Sequence, residues 1–165
     1  FRERDFLTAN VAGVIRGSDP LLADSYIISG ALDHLGIGPP AAGDSLYNGF
    51  VDNALGCAAL LEMARVINTS EMFLRRSILF LFVTGEEKGM LGSRYYCSNP
   101  LVPLYRSVAN LNVDGLAIID TFDDVVGVGS EYSTLQSLLE RTAGELDMRV
   151  SAVPPEFDIL EAFAH

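Results

Sequence analysis

The chain has few basic residues, few cysteines and no long apolar run, and each shortage removes a class of function. Its 11 lysines and arginines stand against 22 aspartates and glutamates, a net charge of −11 over 165 residues. That balance argues against nucleic acid and against anionic membrane surfaces as partners. It does not by itself point to a metal, because a solvated acidic surface has the same composition. Cys57 and Cys97 lack CxxC-type spacing, so they read as buried free thiols rather than zinc ligands, and two cysteines leave the redox compartment open. The longest apolar run, Ile78–Val83, falls far short of the roughly 20 residues of a membrane-spanning helix. There is no internal repeat, low-complexity tract or signal peptide, and the first residue is Phe1. The chain therefore reads as a mature form or a fragment.

What remains is an ordinary globular composition, 49% hydrophobic, long enough to bury a sizeable core in one domain spanning residues 1–165. Asn10–Arg16 and Ser25–Gly30 are strand-like runs around the turn signal Gly17-Ser18-Asp19-Pro20, predicting a hairpin or two neighbouring strands. Gly36–Gly49 reads as loop. A helix is predicted from Asp52 to about Asn68. Arg76–Val83 is apolar on both alternating faces, the pattern of a central strand covered on both sides. A second helix is predicted from Glu86 to about Cys97, then strands at Ser107–Val113 and Asp124–Gly129, a helix from Tyr132 to about Leu146 and a last strand at Arg149–Val153. The alternation predicts a three-layer α/β/α sandwich around a mixed, mostly parallel sheet.

Acids stand where these apolar runs end. Asp33 follows the strand Ser25–Gly30, Glu86-Glu87 follow Arg76–Val83, Asp114 closes Ser107–Val113, and Asp52 opens a helix. In open α/β sheets ligands bind beyond the carboxyl ends of the strands, so these acids converge on one crevice, as a site for two hard or borderline cations requires. Two simpler roles stay open: Asp52, or equally Asn53, as a helix N-cap, and Glu86-Glu87 as complements to a helix dipole.

The segments GDSLYNGFVDNALGCAALLEMARV, RSILFLFVTGEEKGMLGSRYY and NLNVDG resemble the core of the co-catalytic dinuclear zinc aminopeptidase family, which includes bacterial leucyl aminopeptidases, glutamate carboxypeptidase II and glutaminyl cyclases. The resemblance runs from about Asn10 to Asp114 and more weakly beyond. It implies a metallo-aminopeptidase with two Zn2+ ions acting on peptides, in a secreted or periplasmic setting. Asp52 matches the aspartate bridging the two metals, Glu87 and Asp114 match ligands of one metal each, and Glu86 matches the general base. Asp33 matches the acid of a His-x-Asp motif, which orients a ligating imidazole. The family's ligating histidine has Ala31 in its place, and its second histidine lies beyond the matched stretch. His34, three residues on, would face away from Ala31 in an extended segment and reads as a loop or surface histidine, with substitution for the missing ligand as the alternative. Each metal is thus expected to lack its imidazole. Binding of Ca2+, Mg2+ or Mn2+ through oxygens is one consequence; a catalytically impaired domain of the same fold, kept for binding, is the second reading of function. Glutaminyl cyclisation is a third, disfavoured by the peptidase-like Tyr47–Gly56 stretch.

Overall fold

A computed structural model describes residues 7–22, 25–70, 73–116 and 121–153. The chain divides into two compact units, residues 1–116 and 117–165, and each is described by itself.

The first unit is built on four strands: β1 (Val11–Ile15), β2 (Ser25–Ala31), β5 (Ser77–Val83) and β6 (Ser107–Asn112), in the order β1-β5-β2-β6. β2 runs parallel to both β5 and β6, and β1 lies antiparallel on the outer side of β5. The continuous apolar sequence of β5 thus becomes an inner strand, as its pattern requires. Its alternate faces are both covered. Leu79, Leu81 and Val83 pack with Ile27 and with Tyr96 of α2 (Leu91–Ser98). Phe80 packs with Ile28 and with Leu60 of α1 (Leu55–Thr69), whose Met63, Ala64 and Ile67 extend the layer. One helix on each face gives the three-layer arrangement around a mixed sheet. Leu60 is fully buried.

Several local expectations are corrected. β1 and β2 form neither a hairpin nor a neighbouring pair. The intervening turn instead runs under the start of β5, with Ser18 N–H donating to the Leu74 carbonyl at 2.9 Å, Asp19 N–H to that of Arg75 at 3.2 Å, and Gly17 N–H to Ser77 Oγ at 3.1 Å. Those bonds carry β1 to the far side of β5. The Gly- and Pro-rich stretch read as loop contains an antiparallel pair, β3 (Gly36–Ala41) and β4 (Asp44–Tyr47), joined by left-handed Ala42 and Gly43. The helix placed at Glu86 starts later: a short turn at Glu86–Lys88 is followed by Gly89 (φ 96°) and Met90 (φ 55°), and α2 begins only at Leu91. Two successive left-handed residues cannot continue a right-handed helix. Cys97 is exposed and Cys57 half-buried, both free, so neither is the fully buried thiol expected.

Gly92 lets α2 approach the end of β5. Its N–H donates to the Thr84 carbonyl at 2.7 Å, and a Cβ there would lie 2.5 Å from that oxygen and overlap Asn10 Oδ1. Glycine-to-alanine in a helix ordinarily gains about 0.5–1 kcal/mol. Here overpacking reverses the sign, and Gly92→Ala is expected to lower unfolding free energy by about 1–3 kcal/mol in urea melts. A neutral or stabilising result would mean that α2 does not pack this tightly.

In the second unit, β7 (Asp124–Val125) and β8 (Arg149–Val150) pair in parallel, connected by a turn at Ser130–Tyr132 and by α3 (Leu135–Glu145).

Candidate metal and catalytic centre

The acids named from the sequence all lie just past the ends of β2, β5 and β6 or at the mouth of α1, within the first unit. Hydrogen bonds fix the loops that carry them. Asp33 accepts from Thr84 Oγ1 at 2.7 Å and from the Gly85 amide at 2.7 Å, so it ties the loop after β2 to the loop that begins with Glu86 and Glu87. Buried Thr84 in turn pairs with Thr8 Oγ1 at 2.9 Å, and its amide donates to Asn10 Oδ1 at 3.1 Å. The observed partners of Asp33 are thus a hydroxyl and a backbone amide.

Asp52 does not cap α1; Asn53 does. The Asn53 side-chain oxygen accepts the Gly56 N–H at 3.1 Å, and its amide donates to the Val113 carbonyl at 2.8 Å. A single buried carboxamide therefore positions Asp52 on one side and Asp114 on the other. The Asp52-Asn53 peptide is cis.

His34 is the main departure from the sequence reading. It is neither on the surface nor remote from the acids. Its Nδ1 lies 2.6 Å from Glu87 Oε1 and 3.6 Å from Asp52 Oδ2, with the histidine side chain 19% exposed. The close approach to Glu87 does not form a hydrogen bond, so Nδ1 is buried without a hydrogen-bond partner. The alternation argument failed because β2 ends at Ala31, and extended geometry does not continue to residue 34. The Leu35-Gly36 pair after it, with Gly36 left-handed (φ 74°), is the sequence signal for that change of direction.

Glu86 faces the same crevice. Burial holds its carboxyl above the usual range, and the charges of Glu87, Asp114 and Asp52 push it the same way, against a smaller opposing effect of His34. Asp114 is raised too, first by burial and then by Asp52 and Glu87, although the Gly115 amide at 2.8 Å favours its charged form. The thiol of Cys57, 2.9 Å from the Ala31 carbonyl, has its pKa raised by burial and by Asp114.

Both carboxyls bind protons more tightly folded than unfolded. In the window above the unfolded pKa the native state keeps protons that the unfolded chain has released, so this contribution to stability falls as pH rises. In EDTA, Asp114→Asn is therefore expected to melt higher than the parent chain, with the gap widening from pH 4.5 to 7.5. The gain is below about 1 kcal/mol because solvent screens the cluster. A constant gap would show that Asp114 titrates as an ordinary surface acid.

Ala31 is buried, and beside it lies a polar hollow of about 210 Å3, lined by Ser29, Ala31, Glu86, Asn110, Asn112 and Asp114 among others. A larger hollow of about 360 Å3, among Leu22, Phe73, Leu74 and Ile78, sits by the opposite end of β5 and contains none of the acids.

The donors decide what the crevice could hold. His34, Asp52 and Glu87 each offer an atom within 4.8 Å of the others, a mixed nitrogen and oxygen set that suits zinc. Asp52 and Asp114 could serve a second ion only through oxygens, since position 31 supplies a methyl group. The residues described thus fit one zinc-type ion well and a second poorly.

A profile of peptidase family M28 matches residues 10–157. The chain is 37% identical to mouse aminopeptidase NAALADL1 over 112 residues, 65% of this chain and 13% of that protein's length. Its fold is similar to that of Porphyromonas gingivalis glutaminyl cyclase, with a TM-score of 0.67 at 21% identity over 88% of this chain and 56% of that one. A leucine aminopeptidase precursor from Bacteroides thetaiotaomicron superposes with a TM-score of 0.65 at 19% identity, over 88% and 57% of the two chains. The profile covers most of the chain and spans every acid of the crevice: the protein belongs to peptidase family M28.

Proposed function

We propose that this chain carries the catalytic centre of a zinc-dependent exopeptidase that removes N-terminal residues from peptides. The observation that carries the reading is the convergence of Glu86 with Asp52, Glu87 and Asp114 in one crevice, with the Glu86 carboxyl raised above the ordinary carboxylate range. A metal ion held there supplies Lewis-acid polarisation of a carbonyl and lowers the pKa of bound water. Asp52, Glu87 and Asp114 are the residues assigned to hold it. Glu86 is assigned as the base: its carboxylate oxygen takes the proton of the attacking water and passes it to the departing amine, and a raised pKa brings it closer to the pH at which such transfer is efficient. Asp33, through Thr84 and Gly85, holds the Glu86-Glu87 turn in place. The surrounding negative charge favours an α-ammonium group, which directs the site to peptide N-termini. The secreted or periplasmic setting belongs to the same proposal.

A second reading, an impaired domain of this fold, is favoured by buried Ala31 at the position of a ligating imidazole. Leucyl 4-nitroanilide and its N-acetyl derivative separate the two. Zinc-dependent release of nitroaniline from the free amine and not from the blocked one is expected of the exopeptidase. Equal rates would remove the N-terminal assignment, and no release from either would favour the impaired domain.

A further inference from the structure

We propose that His34, Asp52 and Glu87 bind a single zinc-type cation, with the His34 imidazole as its nitrogen ligand. Zinc holds nitrogen and oxygen donors at about 2.0–2.1 Å, which in a tetrahedral site spaces the donors roughly 3.3 Å apart. The His34 Nδ1 distances to Glu87 and Asp52, 2.6 and 3.6 Å, bracket that spacing, and the donor atoms of all three residues lie within 4.8 Å of one another. Nδ1 is buried and makes no hydrogen bond. Its nearest neighbours are the two carboxylate oxygens, the other donors a shared cation would take.

The local backbone holds the ring where it is. Gly49 is left-handed (φ 64°) and backs onto His34 so closely that a Cβ at position 49 would lie 2.6 Å from the histidine Cβ. The Tyr47 ring stands 6.5 Å away on the adjoining strand. Asp52 follows three residues after Gly49, so the segment that confines the imidazole also delivers the carboxylate opposite it.

Among the described residues the other half of the crevice has no equivalent. Asp114 faces the hollow beside Ala31, where the lining polar groups are hydroxyl, carboxamide and carboxyl and none is an imidazole. The chain therefore holds one ion tightly, at the Glu87 end. This site rests on the reading of the crevice as a cation site, and it does not depend on turnover.

The test is zinc titration of the whole chain by calorimetry after stripping with EDTA. One ion per chain is expected. His34→Ala should weaken binding by at least about 30-fold, since loss of a direct ligand costs no less than the 10–100-fold typical of a supporting residue, while Glu62→Gln, an exposed acid outside the crevice paired with Arg65, changes affinity by less than about threefold. The chain has only two histidines, so nitrogen NMR of the imidazoles in the unaltered chain gives an independent reading that survives misfolding of the variant. Zinc should shift Nδ1 of one ring, identified as His34 by its absence in His34→Gln. Two ions of similar affinity, or unchanged affinity in a folded His34→Ala, would overturn the site. Zinc binding that moves neither ring removes His34 but leaves the crevice as a cation site. No binding up to about 1 mM zinc, a free energy of only about −4 kcal/mol, removes both.

Discussion

Glu86→Gln should lower kcat on leucyl 4-nitroanilide by about 10²–10⁴-fold, the usual contribution of a positioned general base. The change keeps the size and shape of the side chain and removes only its ability to take a proton. Glu86 is not one of the three donors His34, Asp52 and Glu87, so zinc affinity is expected to stay within a few-fold of the parent chain. It also removes a crowded carboxylate whose charge burial and its neighbours already oppose. Activity and metal content therefore separate in this variant. A parallel loss of both would reassign Glu86 as a ligand, and an unchanged kcat would remove the base assignment altogether.

The second large effect is a gain. Ala31→His should raise the bound zinc from one to two per chain and raise turnover by at least about 100-fold, roughly 2.7 kcal/mol of transition-state stabilisation at 1.36 kcal/mol per decade. The hollow beside Ala31, about 210 Å3, is several times the 30 Å3 or so that one water occupies in the liquid, so there is room for a ring. Its neighbour in the crevice is Asp114, whose pKa is raised by burial and then by the charges of Asp52 and Glu87. Metal analysis and steady-state kinetics on the same preparation decide the matter. Two zincs with no gain in rate would place the defect elsewhere in the chain, and one zinc would mean that Asp52 and Asp114 are not arranged to share a second.

The framework of this site was legible in the sequence because it depends on local pattern. An apolar run such as Ser77–Val83 announces an inner strand, and acids directly after such runs fall at one edge of a sheet. Partner choice was not legible: β1 pairs with β5 through a turn whose backbone bonds reach Leu74 and Arg75, more than 50 residues away in sequence. The break between Glu86 and α2 depends on left-handed Met90, a conformation its side chain does not advertise. His34 was misplaced for a related reason, since a period of two holds only while the strand lasts and β2 ends three residues earlier. Asn53 was read correctly as a competing cap, but its second bond, to Val113, is tertiary and leaves no mark in the local sequence.

The wide spacing of the donors along the chain has one more consequence. His34, Asp52 and Glu87 come from segments that meet only once β2, β5 and α1 have assembled, so the unfolded chain offers an ion no comparable grip. Occupancy and folding are then linked by mass action. At free zinc 100 times the dissociation constant, the native state gains about 2.7 kcal/mol over the unfolded chain, and the melting temperature becomes a function of zinc activity. The crevice doubles as a reporter of assembly, filled only in molecules whose central sheet has closed.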